Sequence, residues 1–453
     1  MAQDTPSSSP VRIDLLETLQ AAPLGAFHLL LAVLLALILW FDGYDLYNAA
    51  YIVHDVAPLW HLSPSEVGLM LSCGLAGFAV GSAVSGLFGD RLGRRRVLLA
   101  GVWGAGVMSL AIGLFADSLG TFIGLRLVMG VSLGLLMPIA ITYINEIAPK
   151  RVANVFTIGF FSLGWIGGAT CSGFIAAWLS PRYGWHSLYL FGGLALVLAL
   201  ALQFALPESV SFLGSRGRWD EVRAQLARFW PARAGEFRHA TLVAPEPTAK
   251  AGSLAALFSA RYRAKTFCFW GMGALSLFSS YGLSGWLPTI LIARGVTMTS
   301  SFAFGSLLVF ASAFGSLVTG FVADRIGNRR LAMSVAWLLG AAAIGMLTQS
   351  GHGSVFWIIV AAGMFVIGTQ TVLNNLVAVS YPTEIRSTGV GVFLGVARVG
   401  AMCGPAISGV LQQETGGPDA MFLVLGSALV IAAVLVFLVA APKSLPKGSA
   451  FGH

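Results

Sequence analysis

Two carboxylates and two guanidiniums lie inside otherwise apolar stretches of this chain. Asp42 and Asp45 occur in Phe-Asp-Gly-Tyr-Asp (41–45), within the apolar run 27–52. A carboxylate at bilayer depth is costly unless it is paired, hydrated or neutral. At i and i+3 the two share one helical face, and like charges that close resist being ionised together. One of them can therefore take up and release a proton. The alternative is a fixed ion pair that only orients helices. Arg126 is the available cation. It and Asp45 each lie about seven residues from the same end of their segments, roughly 10 Å deep at 1.5 Å per residue. That depth predicts an Arg126–Asp45 pair, either a coupling element that weakens on protonation or a permanent brace.

Arg398 stands about eleven residues into the run 387–412, at 1.5 Å per residue close to mid-membrane. The second half has no acid at that depth, since Asp324 and Glu384 fall at helix ends. A guanidinium keeps its charge, and its planar fork matches a carboxylate. Arg398 therefore meets a ligand carboxylate, backbone carbonyls, or an Asp from across a cavity. Trp165 is at similar depth in the first half, Phe161 is one turn away on the same face, and Tyr281 is near mid-depth in another segment. Their faces suit an aromatic ring, although packing among themselves or against lipid accounts for them equally well. Gln370 and Asn374, at i and i+4, present amides to a ring substituent or to a neighbouring helix.

The elements that must position these groups are membrane helices. Of the 453 residues, 57% are apolar and 10% charged, against about 25% charged in a typical soluble domain. Mean hydropathy is +0.81. These values exclude a soluble enzyme, a disordered chain and a fibrous protein, and the long continuous apolar runs exclude a transmembrane barrel. Twelve segments are long enough to span a bilayer: 27–52, 67–89, 97–116, 119–143, 153–179, 185–206, 266–293, 300–323, 331–350, 353–380, 387–412 and 418–441. The expected organisation is a tail over 1–26 with a short amphipathic stretch at Ile13–Leu19, a six-helix bundle over 27–206, a polar loop over 207–265, a second six-helix bundle over 266–441, and a tail over 442–453. The first apolar run carries two Asp and lacks a basic lead-in and a cleavage site, so it reads as a retained helix rather than a signal peptide.

Charge sets the orientation. With both termini cytoplasmic, all but four of the 27 Lys and Arg residues fall on the cytoplasmic side. The exceptions are Arg182 and Arg294 outside, and Arg126 and Arg398 within helices. This asymmetry accounts for the net charge of +8 without nucleic acid. The chain also repeats itself: GLFGDRLGRRR at 86–96 returns as GFVADRIGNRR at 320–330, and NEIAPKR at 145–151 is echoed by YPTEIRS at 381–387. Asp90 with Arg94 and Asp324 with Arg329 sit at helix ends, and Glu146 with Arg151 and Glu384 with Arg386 are expected to close ion-pair clusters. Such clusters would latch one state of a two-bundle machine and open when the halves rock.

The doubled G-x-x-x-D-R-x-G-x-R-R element resembles the signature of the major facilitator superfamily. Arg126–Gly130–Gly134 resembles its second motif, and LPESVSFL at 206–213 resembles the end of the sixth helix in sugar-porter-like members. Within the superfamily, FDGYD and the Arg398 of GVARVG resemble the aromatic acid:proton symporters. The resemblance implies an all-α membrane protein of two pseudo-symmetric six-helix bundles in a bacterial inner membrane. It also implies a monomer that takes up a benzoate-, hydroxybenzoate- or nicotinate-type acid with protons, with no cofactor. Arg398 would hold the carboxylate and Trp165 the ring, with Asp42 and Asp45 carrying the proton. FFSLGWIGG in the fifth helix departs from the Gly-Pro pair of drug antiporters. A sugar, polyol or organic-ion carrier, a proton-driven exporter, and a non-transporting receptor on the same fold remain the alternatives. Arg398 argues against a cationic ligand.

Other signals are weak. Cys73, Cys171, Cys268 and Cys403 lie in apolar segments without metal-ligand spacing and read as small packing residues. His28, His54 and His61 lie at segment ends with no partner at metal spacing, and no catalytic set or phosphate loop is evident, so neither an enzyme nor an ATP-driven pump is expected. In the loop 207–265 the stretch 216–228 reads as an amphipathic surface helix near anionic lipid.

Overall fold

Long apolar sequence satisfies its backbone donors internally only as helix in a bilayer, and helix is what the chain forms. The computed structural model describes residues 12–243, 254–348 and 354–439. The first half contains membrane helices Ala26–Leu59, Pro64–Leu92, Arg94–Phe115, Leu119–Ile147, 153–183 and His186–Ala205. The second contains Arg263–Ala293, Met298–Ile326, Arg329–Met346, Val355–Ser380, Thr383–Thr415 and Asp419–Leu438. Eleven are long and apolar enough to cross a membrane on their own account. The twelfth, Arg329–Met346, carries two arginines in its first turn.

Local chemistry sets the boundaries. The first helix runs on to Leu59, beyond the apolar limit at 52, because Asp55 finds a partner: Ser180 of the fifth helix donates to it at 2.9 Å. The second helix opens with a capping box, in which Ser63 Oγ accepts from the Glu66 N–H and Glu66 Oε2 accepts from the Ser63 N–H at 2.8 Å. The two copies of the repeated motif turn on glycines with positive φ, Gly93 at 97° and Gly327 at 68°. A side chain there would be strained, which explains a glycine at the same place in each copy. The sixth helix is interrupted at Gly193–Leu194, and the fifth and tenth each contain a π-helical segment, Ser162–Ile166 and Gly363–Ile367.

The first and fifth helices touch backbone to backbone. A Cβ on Gly43 would fall on the Trp165 carbonyl, and one on Gly168 on the Trp40 carbonyl. Gly43→Leu is therefore expected to abolish the monodisperse peak in detergent size-exclusion chromatography. Gly120→Leu, where a Cβ meets nothing within 4 Å, should keep it.

The amphipathic stretch expected at Ile13–Leu19 divides between two elements. Arg12–Asp14 is a strand paired in parallel with Thr241–Val243 of the central loop, and only Leu15–Ala21 is helical. The loop helix is Trp219–Phe229, and its apolar face is covered by protein rather than lipid, with Phe229 against Phe27 and His28 of the first helix. Residues 1–11 of the tail expected over 1–26, the tail 442–453 and the ends of segments 331–350 and 418–441 lie outside the described residues.

The two halves meet along three helix pairs: first with seventh, second with eleventh, fifth with eighth. The backbone-to-backbone contacts that close them lie toward the end opposite the basic loops. A Cβ on Gly68 would fall on the Pro405 and Ala406 carbonyls, one on Gly409 on the Pro64 carbonyl, and Gln413 accepts from the Ser65 N–H at 3.3 Å. At the basic end Val80, Leu87, Gly391 and Leu394 are exposed, and among the described residues the fourth and tenth helices share no extensive contact. The bundle is open at its basic end and closed at the other.

Candidate functional site

The closed end narrows onto Tyr47, Leu71, Leu75, Tyr281, Ser284 and Pro405, contributed by the first, second, seventh and eleventh helices. Tyr47 faces Ser284 across the halves, and Tyr51 packs edge-on against Phe302 of the eighth helix at 5.3 Å. Tyr47 stands between the two site aromatics, 5.9 Å edge-on from Trp165 and 6.2 Å from Tyr281. Phe161 and Trp165 stack at 5.7 Å, and Trp165 Nε1 is buried without a partner among the described residues. The π-helical segment places this tryptophan: the extra residue in the turn rotates it relative to the helix that continues from Gly167.

Arg398 lies at the junction of the halves. It projects from the eleventh helix over the Phe78 ring of the second, with Cζ 4.3 Å from the centroid. Its Nη2 reaches Met137 Sδ of the fourth helix at 3.8 Å, and Tyr281 of its own half lies beside it. It forms no ion pair among the described residues. The charge it faces is Asp42 of the first helix, fully buried, with both carboxylate oxygens unpartnered. No acid of its own half pairs with Arg398 among the described residues. The acid comes from the other half, which sequence depth alone could not pair.

Asp45 points elsewhere. Its Oδ1 accepts from Ser109 of the third helix at 3.5 Å, and a Cβ on Gly192 of the sixth would crowd it. Arg126 does reach it, but not in the manner expected. The guanidinium donates to the Asp45 and Leu46 carbonyls at 2.6 and 3.1 Å and to Met129 Sδ, lying 5.8 Å from the Tyr189 ring. No carboxylate–guanidinium bridge between Arg126 and Asp45 is among the described ion pairs. The i, i+3 rule placed both carboxylates on one face; a 60° offset between them is enough to send Asp42 to the interface and Asp45 into the first bundle.

Gln370 Nε2 donates to Asn374 Oδ1 at 3.0 Å, leaving Gln370 Oε1 buried and unpartnered. Both follow the π-helical segment of the tenth helix.

The loop charges are arranged differently from expectation. Glu146 pairs with Arg94 rather than Arg151, and Ser209 joins them, donating to Glu146 Oε2 and accepting from Arg94 Nη1 at 2.6 Å each. Glu208 accepts from the Arg95 N–H at 3.0 Å. LPESVSFL thus ties the end of the sixth helix to Arg94 and Arg95 of the first copy of the repeat, within the first half. Asp90 is exposed and outside the described ion pairs; Asp324 meets Arg329 at 3.4 Å on the surface. The Glu384 side chain lies outside the described residues, and Arg386 donates to the Tyr381 carbonyl at 3.4 Å. Glu146→Ala strands the part-buried Arg94 and should lower stability by about 2 kcal/mol. Thermal unfolding in detergent should show this, with ligand affinity unchanged because Arg398 is untouched.

Two six-helix halves around a buried charged and aromatic junction, sealed at one end, define an alternating-access carrier. The chain belongs to the Major Facilitator Superfamily, whose family model matches residues 33–314 and 269–452. It is 34% identical over 430 residues to a gallate transporter of Pseudomonas putida, covering 94% of each chain. It is 33% identical over 436 residues to the 4-hydroxybenzoate transporter PcaK of Pseudomonas aeruginosa, covering 94% of this chain and 96% of that one. The niacin transporter NiaP of Acinetobacter baylyi is 28% identical over 435 residues, with 94% and 97% covered. Among solved structures, a bacterial homologue of the human lysosomal transporter Spinster, inward-facing and occupied, superposes with a TM-score of 0.73 at 16% identity over 92% of this chain and 97% of that one. The xylose transporter XylE from E. coli in an inward-open conformation gives 0.70 at 16% identity, with 92% and 97% covered.

Proposed function

We propose that the protein imports a small aromatic monocarboxylate together with protons across a bacterial inner membrane, acting as a monomer with its basic end and both termini cytoplasmic. The observation that carries this reading is Arg398, a fork of donors at the junction of the halves, without an ion pair among the described residues, lying over the Phe78 ring with Tyr281 beside it. A substrate carboxylate would take the fork, and the ring would lie among Trp165, Phe161 and Tyr281. Gln370 Oε1 would accept from a ring hydroxyl. Relatives named for gallate, 4-hydroxybenzoate and niacin support an acid on an aromatic ring.

Asp42 is the proton carrier in this reading, because it and the substrate compete for Arg398. Protonating Asp42 releases the guanidinium to the incoming anion. One anion entering with at least one proton is not opposed by the membrane potential. Asp45 and Arg126 shape the first helix from within its bundle and couple it to the fourth. Asp90, Arg94, Glu146, Asp324, Arg329 and Glu384 gate the cytoplasmic end, which is open in this conformation.

The test is a thermal-shift screen of purified protein against benzoate, 4-hydroxybenzoate, gallate, nicotinate, nicotinamide, glucose and a quaternary amine. Stabilisation by the acids and not by nicotinamide is expected. Stabilisation by glucose or the amine alone would overturn the substrate class.

A further inference from the structure

Phe78 was not among the residues that composition or depth singled out, yet it carries the guanidinium on which the proposed function depends. Its ring is fully buried and lies 4.3 Å beneath Arg398 Cζ. Its backbone is fixed by a close contact between the second and fourth helices. A Cβ on Gly130 would fall on the Gly74 carbonyl and the Phe78 N–H, and one on Gly134 on the Phe78 carbonyl. The second and fourth helices thus lie backbone to backbone at this residue, and the ring has a rigid base. On the other side the Arg398 contacts are weak or rotatable: a thioether at 3.8 Å and the Tyr281 hydroxyl.

We propose that Phe78 is a positioning residue for the substrate carboxylate. Its face holds the Arg398 guanidinium by cation–π attraction across the junction of the halves, leaving the edge of the fork to the anion. The inference rests on the reading that Arg398 receives a carboxylate. It adds a reason for the glycines of the fourth helix: they bring the backbone of the second helix close enough for its ring to reach the opposite half.

The experiment is a double-mutant cycle on purified full-length protein, titrated calorimetrically with benzoate, 4-hydroxybenzoate and nicotinate. Phe78→Leu should weaken binding about tenfold, the effect of losing a desolvated cation–π contact. Phe78→Tyr should restore affinity to within about twofold, since its ring keeps the same negative face. In an Arg398→Met background, read at millimolar ligand, Phe78→Leu should cost nothing further. Thermal unfolding checks that each variant is folded, with Phe78→Met replacing Leu if Leu is not. An equal loss with and without Arg398, or no loss in the wild-type background, would reduce Phe78 to packing and overturn the proposal. An Arg398→Met variant that binds like wild type, or a wild type that binds none of the three acids, would instead overturn the carboxylate reading, and this inference with it.

Discussion

Arg398→Met is expected to weaken binding of the transported aromatic acid by at least about thirtyfold, with little change in folding. The size follows from the contact. A charge-assisted, desolvated bond to a carboxylate costs about 2–5 kcal/mol when one partner is truncated, and 1.4 kcal/mol is tenfold in affinity. Methionine keeps much of the aliphatic stem, so packing against Phe78 and Met137 is largely conserved. Arg126 provides the contrast. Its guanidinium is spent on the Asp45 and Leu46 carbonyls, and only 3% of the residue is exposed. Arg126→Met leaves those carbonyls without their donor, so it should lower the unfolding temperature rather than affinity. Equilibrium binding and thermal unfolding on the same two variants separate the roles. An Arg398→Met protein with wild-type affinity for the acids would remove the central element of the site.

How much of this was legible in the sequence follows from what each signal measures. Hydropathy reports length in apolar surroundings, so the twelve segments and their two halves were readable, while ends fixed by a polar partner, such as Asp55 with Ser180, were not. The positive-φ glycines Gly93 and Gly327 stand at equal positions of a repeated motif, so the repeat showed the turn before any coordinates did. Depth along a helix brought Arg126 to Asp45 but could not say that the main chain would take its donors. Helical faces separate by 100° per residue, and neighbours in a bundle differ over smaller angles, so Asp42 and Asp45 read alike and are not. Glu146 had two nearby arginine sets to choose from; the loop between the sixth helix and Ser209 decided for Arg94. Phe78 left no trace because one of 30 phenylalanines carries no mark of the cation above it. The strand Arg12–Asp14 was hidden because its partner is more than two hundred residues away.

Asp42→Asn should uncouple the carrier while leaving it able to bind and exchange substrate. On the proposed reading an ionised Asp42 competes with the substrate anion for Arg398 in the wild type, so binding takes up a proton. Affinity should therefore rise as pH falls, by up to about tenfold per pH unit over the range in which the empty site loses its proton. Asparagine resembles the protonated acid in shape and charge. It frees Arg398 permanently, so affinity in the variant should be high and flat with pH. In proteoliposomes with the outside one pH unit more acid, one proton drives at most about tenfold accumulation. The wild type should accumulate label, whereas Asp42→Asn should stop at equal concentrations yet still exchange internal for external substrate. Asp45→Asn is the necessary companion. Asp45 faces Ser109 and the sixth helix rather than Arg398, so this variant should still accumulate against the gradient. If Asp45→Asn loses accumulation and Asp42→Asn keeps it, the proton travels on the inner carboxylate. Coupling must then run through Arg126 and the fourth helix rather than through competition at the junction of the halves.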